Sequence, residues 1–127
     1  MRTIRTDMNE SIRRAVAYIA GRASSGRSSA AVFDYSNSSY FSFSGKVTDS
    51  AVSTFDYTEK CHITGAGHDG SFSLSHYGDQ KHIRLRVDGR KFRGYDFGSG
   101  GHFSGTVSGR AVSVFDCQDS TWHQYAI

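Results

Sequence analysis

The chain has 127 residues, the size of one domain, and its 37% hydrophobic and 13% aromatic content is too high for a disordered protein. No apolar run approaches the roughly 18 residues of a membrane-spanning helix, and the N-terminus lacks the apolar stretch of a secretory signal. We therefore expect a soluble, cytoplasmic protein whose oligomeric state the sequence leaves open. Because proline is absent, Gly, Asn, Asp and Ser must form the turns.

The net charge of +3 is unevenly distributed. Residues 1–30 contain six arginines and two acids, whereas residues 31–127 contain nine basic residues and ten acids. A second basic cluster lies in residues 81–93. Basic arms and patches of this kind bind phosphate groups in many proteins. Nucleic-acid binding is therefore an alternative function, through Arg2, Arg5, Arg13, Arg14, Arg22, Arg27, Arg90, Lys91 and Arg93.

A helical pattern occupies the N-terminal segment. Apolar residues recur at intervals of 4, 4 and 3 between Met8 and Ile19, which is the spacing of one helical face. Asp7 and Glu10 match a capping box. We therefore predict an amphipathic helix over residues 8–20, packed against the rest of the domain or across one end of it.

The stretch after this helix is rich in Gly and Ser. Gly21 is placed to terminate the helix, and residues 21–29 read as a flexible linker. The predicted organisation is thus a basic helix and linker over residues 1–29, followed by a β-domain over residues 30–127, within a single globular unit.

An internal repeat covers residues 31–127. Its marker is an aromatic–Asp–aromatic triplet, seen in full around Asp34, Asp56 and Asp96, weakened around Asp116 and degenerate around His76. The central positions are separated by 22, 20, 20 and 20 residues. These positions are Asp34, Asp56, His76, Asp96 and Asp116.

Each repeat has two segments of period-2 alternation around a polar pair, which is typical of a β-hairpin. Two-residue loops, or four-residue loops with the same pairing, would place Asp34 opposite Phe41 and Tyr57 opposite His62. Tight turns such as Asp88-Gly89 join consecutive hairpins. The fold predicted is mainly β: an antiparallel meander of five hairpins, about ten strands, rolled or closed into a barrel, with one N-terminal amphipathic α-helix.

The central aspartates share the face that carries the core residues and would ring one end of the barrel. One interpretation is an acidic mouth that binds a small ligand or glycan, or that acts as a hydrolase. The other is that each carboxylate accepts backbone hydrogen bonds in its hairpin turn. Asp116 and His123 would lie opposite each other, but no nucleophile can be placed beside them.

His62, His82 and His102 occupy equivalent positions in three repeats. Equivalent positions in neighbouring hairpins are roughly 9–10 Å apart, too far to share one zinc ion. Cys61 and Cys117 show no metal-ligand spacing and are expected to be free thiols. We therefore expect no metal, no cofactor and no catalytic residue, although enzyme activity is not excluded by the sequence.

The face opposite the core carries aromatic, His and Arg side chains. Exposed aromatic side chains beside arginine suit a protein partner, single-stranded nucleic acid or a glycan. The function expected is therefore a non-enzymatic binding module for a macromolecular partner, with protein favoured. The residues expected to bind it are Tyr57, His62, Tyr77, His82, Arg84, Arg86, Phe97, His102 and Trp122.

Overall fold

A computed structural model describes residues 9–78 and 81–127 and contains one helix, α1, over Glu10–Ser25. The Asn9 side chain caps its start by accepting a hydrogen bond from the Ile12 N–H (3.1 Å). Asp7, the predicted cap, lies outside the described residues. No helix in the described residues has the length and hydropathy that a membrane crossing requires.

Ten antiparallel strands form a closed barrel, as the repeat predicts. Each strand pairs with its neighbours along the chain, and the first pairs with the last to complete the ring. The strands are β1 (Ala31–Asp34), β2 (Ser39–Val47), β3 (Ala51–Asp56), β4 (Cys61–His68), β5 (Ser71–His76), β6 (Lys81–Asp88), β7 (Lys91–Asp96), β8 (Gly101–Ser108), β9 (Ala111–Asp116) and β10 (Thr121–Ala126).

The predicted register within each hairpin is wrong by two residues. Asp34 lies opposite Ser39 rather than Phe41, because the loop contains four residues and begins directly after the aspartate. The aspartate itself fixes this loop, since its carboxylate accepts a backbone hydrogen bond from the residue two positions later. These N–H donors are Ser36, Thr58, Gly98 and Gln118, each at 2.9 Å.

A shift of two residues leaves every side chain on the predicted face of its strand. Inward positions such as Ile63, Leu74 and Ile83 are at most 1% exposed, whereas their neighbours in sequence face solvent. The joins between hairpins are the tight turns expected, as at Gly89, whose φ is 61°. The alternation therefore sorts core from surface throughout the barrel.

The helix packs against the β-domain as predicted, but it lies inside the barrel rather than across one end of it. Its residues from Ser11 to Gly21 are all buried, and it contacts β1 and β2 on one side of the ring and β6, β8 and β9 on the other. Small residues outside its predicted apolar stripe, Ala15, Ala17 and Ala20, are fully buried as well. The helix thus supplies the core of the barrel.

The prediction that the helix ends at Gly21 is wrong. It ends at Ser25, so residues 21–25 are helix rather than linker. Gly26 is the C-cap, with φ of 71° and its N–H bonded to the Arg22 carbonyl (2.9 Å). Gly21 serves packing instead. A Cβ there would lie 2.8 Å from Val112 Cγ2, so glycine lets the helix pass close to β9.

Two arginines of the helix are buried with it and meet the inward-facing aspartates. Arg13 Nη1 lies 3.7 Å from Asp116 Oδ2, and Arg14 Nη1 lies 3.9 Å from Asp34 Oδ2. Arg14 also lies over the Phe41 ring, 3.8 Å from its centre, in a cation–π contact. These contacts compensate charges that would otherwise be costly to bury.

We expect Arg13→Met to lower the free energy of unfolding by about 3–5 kcal/mol, because it removes one partner of a buried ion pair and leaves the other charge in place. Urea denaturation followed by circular dichroism measures this loss. The matched control is Arg27→Met at an exposed position. If the Arg13 variant is as stable as the control, the helix is not anchored by this pair.

Burial raises the pKa of Tyr125 to about 12, and the Arg13 guanidinium opposes part of the shift. Arg13 Nε donates a hydrogen bond to the Tyr125 hydroxyl (3.0 Å). Burial likewise raises the pKa of Tyr18, opposed by Arg22. Both phenols are therefore held in the neutral form in the folded barrel.

The contribution of these two phenols to folding stability should consequently be constant up to about pH 10 and fall between about pH 10 and 12, because the unfolded tyrosines ionise first. Tyr125→Phe should make that fall shallower. At pH 7 it should cost about 1–2 kcal/mol, because Arg13 loses this acceptor. Urea midpoints measured across the alkaline range test both effects, and an unchanged slope in the variant would contradict the assignment.

Candidate functional site

The four aspartates do not form an open acidic mouth, which corrects that interpretation of the repeat. Their side chains point inward and are at most 2% exposed, and the helix fills the space between them. Their oxygens accept hydrogen bonds from the turns, and Arg13 and Arg14 lie against two of them. The alternative interpretation, that each carboxylate organises its hairpin turn, is confirmed.

Outside the barrel, aromatic rings form triads at the same end. In the first hairpin, the Phe33 ring contacts Tyr35 and Tyr40 edge-on, both at 4.8 Å between ring centres. Two further hairpins repeat this arrangement with distances of 4.7–4.9 Å. These triads are Phe55 with Tyr57 and His62, and Tyr95 with Phe97 and His102.

The histidines therefore have other cross-strand partners than the predicted ones. His62 lies opposite Phe55 rather than Tyr57, and His102 lies opposite Tyr95 rather than Phe97. His82 lies opposite Ser75, and its Nε2 is 3.0 Å from the Ser73 hydroxyl. The two-residue register shift accounts for all three changes.

His123 lies opposite Val114 rather than Asp116, because the same register shift moves it along β10. Its Nε2 contacts Asp119 (3.1 Å).

Within residues 9–78 and 81–127, no group of three or more His, Cys, Asp or Glu side chains could hold a metal ion. Cys61 is buried 3.7 Å from His76 Nε2, and Cys117 is an exposed free thiol.

An aromatic band surrounds the outside of the barrel near the Asp-capped loops. Its rings are 52–75% exposed, although residues of this type are usually more buried. Each ring lies in, or within two residues of, the four-residue loop of its hairpin. The aromatic band comprises Tyr35, Tyr40, Tyr57, Tyr77, Phe97 and Trp122.

A groove of about 690 Å³ lies on the outer surface of β4–β8, beside this band. Arg84, Arg86 and Arg93 line it, and all three are exposed. Small serines on the flanking strands leave the space open, and Tyr95 and His102 form one edge. We call this depression the arginine groove.

The arginine groove concentrates positive charge, and no acidic residue among the described residues lines it. Arg86 and Arg93 lie directly opposite each other on β6 and β7, and Arg84 faces the same side of β6. None of the three forms a salt bridge within the described residues. Arg86 Nη1 donates a hydrogen bond to the Ser71 hydroxyl (2.8 Å), so its fork is held against the sheet.

Exposed acids near these strands include Asp69 and Asp88, and Asp88 follows Arg86 by two residues on the outer face of β6, where it lines a depression together with Arg86 and Arg93. Asp69 is in the turn before β5 and contacts His68 (3.2 Å). Asp88 lies opposite Lys91 at the end of β6. Like charges directly opposite each other destabilise a sheet, so the Arg86–Arg93 pair gains nothing for the fold by itself.

A second depression, of about 360 Å³, adjoins the arginine groove and shares Arg86, Arg93 and Ser104 with it. Trp122 lines its far side. The pairing of β5 to β10 places these side chains in one row across the barrel, about 24 Å long at 4.8 Å per strand. The row runs Ser71, Arg86, Arg93, Ser104, Phe115, Trp122.

The structure brings only part of the predicted partner-binding set together. Arg84, Arg86 and His102 lie on adjoining strands at the arginine groove, and Phe97 bridges Tyr95 and His82 at its edge (4.7 and 5.3 Å). Trp122 is at the end of the row. The other members of the set line neither depression: Tyr57 and His62 on the β3–β4 hairpin, Tyr77 in the loop after β5, and His82 and Phe97 beside the groove's edge.

The predicted nucleic-acid arm is corrected in part. Arg13 and Arg14 are 4% and 5% exposed inside the barrel, and thus cannot contact a partner. Arg22 is only partly exposed, since its Nη1 donates to the Tyr18 hydroxyl (3.0 Å) and the Gly45 carbonyl (2.9 Å). Arg27, Arg90 and Lys91 are exposed, whereas Arg2 and Arg5 lie outside the described residues.

Sequence reasoning missed the residues that give the groove its shape. Ser71, Ser73 and Ser104 flank the arginines, and Cys117 lines the groove beside His102. Strand alternation predicts that these serines lie on the outer face. It does not predict that they lie beside the arginines, because that depends on which strands are neighbours.

The chain matches no family model, no curated protein and no solved structure. The assignment of a site therefore depends on the geometry of this chain alone.

Replacing the opposed arginines should not weaken the fold. We expect Arg86→Thr with Arg93→Thr to raise the free energy of unfolding by about 0.2–1 kcal/mol, because the like-charge pair is relieved and threonine suits a strand. The control is Arg27→Thr with Lys46→Thr, which removes the same charge at exposed positions. Thermal denaturation measures both, and a clear loss in the first variant would assign the arginines a structural role.

Proposed function

We propose that this protein is a non-enzymatic binding module whose arginine groove holds a negatively charged macromolecule. The observation that carries the proposal is the cluster of Arg84, Arg86 and Arg93, which form no salt bridge among the described residues and in which Arg86 and Arg93 occupy directly opposite positions on neighbouring strands. Such a pair is costly in the free protein and becomes favourable when an anion lies between the two charges.

The charge balance of the surface supports the same partner chemistry. Six charged residues, two arginines of the helix and the four inward aspartates, are buried. Among the described residues, eleven basic residues and six acids lie outside this buried set. The excess of positive charge outside the core is thus larger than the net charge of the chain, which favours encounter with a polyanion.

The filled interior supports a role on the outer surface. A barrel that encloses a ligand needs an internal cavity, whereas here the helix is packed between the walls. The partner classes that the sequence left open were protein, nucleic acid and glycan. An arginine cluster favours an acidic protein, a nucleic acid or a sulfated glycan over an uncharged partner.

The test uses a fluorescein-labelled heparin fragment as a general polyanion probe for the full chain. Arg86→Thr with Arg93→Thr should weaken binding about tenfold or more, because two charge-assisted contacts are lost. Arg27→Thr with Lys46→Thr should weaken it much less, since Lys46 lies on β2, on the opposite side of the ring from β7. Equal weakening in both variants would mean that net charge alone drives binding and would overturn the proposal.

A further inference from the structure

The arginine groove continues into a surface of different chemistry. From Arg93 the row passes the small Ser104 and reaches Phe115 and Trp122, whose ring centres are 5.1 Å apart. Trp122 is 52% exposed and lines the depression that also contains Arg86 and Arg93. Cations and an accessible indole ring therefore share one continuous recess.

This combination fits a chain that carries both anionic groups and flat rings. Guanidinium groups bind phosphate with two parallel hydrogen bonds, and exposed aromatic rings stack on unpaired bases. A peptide of acidic residues alone supplies carboxylates for the arginines but no ring for Trp122. A nucleic-acid duplex supplies phosphates, but its bases are stacked on one another and do not face a side chain on a sheet.

We propose that the arginine groove and Trp122 bind single-stranded nucleic acid, with backbone phosphates on Arg84, Arg86 and Arg93 and an unpaired base stacked on Trp122. The inference rests on the proposed function and specifies its partner. The row is about 24 Å long, which accommodates a few nucleotides. Contacts to the phosphate backbone and to the faces of the bases are available in every nucleotide, so we expect little preference for the nucleic-acid sequence.

The phosphates and the base occupy different parts of the row. Arg86 and Arg93 are one strand apart, whereas Trp122 lies three strands beyond Arg93, roughly 14 Å at regular sheet spacing. The strand of nucleic acid would thus run across the barrel strands, from β6 towards β10. His102 and Tyr95 border its path and present further rings.

Fluorescence anisotropy of the full chain with labelled dT12, a 12-base-pair duplex and a 12-residue polyglutamate tests this inference. We expect dT12 to bind about tenfold more tightly than either other probe at 50 mM salt, because only dT12 engages both features. Arg86→Thr with Arg93→Thr should reduce the slope of log K against log salt concentration by about 1.4, since two phosphate contacts are lost.

Trp122→Ser tests the stacking contact and should weaken dT12 binding about fivefold or more. Its matched control is Tyr40→Ser, because Tyr40 is exposed and lies opposite Phe33 as Trp122 lies opposite Phe115. The control should bind dT12 within twofold of the wild type. Equal losses in the two serine variants would overturn the assignment of Trp122.

The outcomes separate this inference from the proposed function. If polyglutamate or duplex binds as tightly as dT12 and Trp122→Ser has no effect, the single-strand inference is wrong and a general anion site remains. If heparin binds through the arginine groove but dT12 does not bind, the same conclusion follows. If heparin, polyglutamate and dT12 all fail to bind, the proposed function itself is wrong.

Discussion

The inward-facing aspartate at the end of the first strand, present in four of the five hairpins, is the feature on which the rest of the barrel depends. One carboxylate oxygen accepts the turn's N–H at 2.9 Å and thereby sets the four-residue loop and the register. Two of these carboxylates also meet Arg13 and Arg14 of the central helix. Turn geometry and helix placement are thus coupled, because the buried negative charges require cations at the barrel axis.

Filling the barrel with its own helix determines where function can reside. The interior holds an apolar helix and its ion pairs, so a partner meets the outer surface, where strand alternation leaves polar and aromatic side chains. Four of the repeats use their aspartate inside, which removes four acids from the surface. The same residues that organise the fold therefore leave an excess of basic side chains outside, among them the opposed pair Arg86 and Arg93.

The period of twenty residues predicts the strands, the meander and the face of each side chain, because alternation and turn residues are local properties. The exact register is not predictable in this way, since loops of two and of four residues place side chains on the same faces. The position of the helix inside the barrel does not follow from the sequence, because Arg13 and Arg14 are residue types that usually lie at the surface. Their partners, the aspartates of distant hairpins, come together only when the ring closes. Strand alternation predicts that Arg84 and Arg86 share the outer face. The position of the flanking serines, and the row that leads to Trp122, depend on how six strands pair, which alternation does not predict.

The outer-surface location can be tested on the intact chain by titrating ¹⁵N-labelled protein with dT12 and following the backbone amide signals. The geometry predicts that the largest shift changes lie on β6, β7 and β8 around Arg86, Arg93 and Ser104, with a second group near Trp122. Signals of α1 and of the Asp-capped turns at residues 35–38 and 57–60 should change little. Changes confined to those turns or to the helix, with β6–β8 unaffected, would contradict a binding site on the outside of the filled barrel.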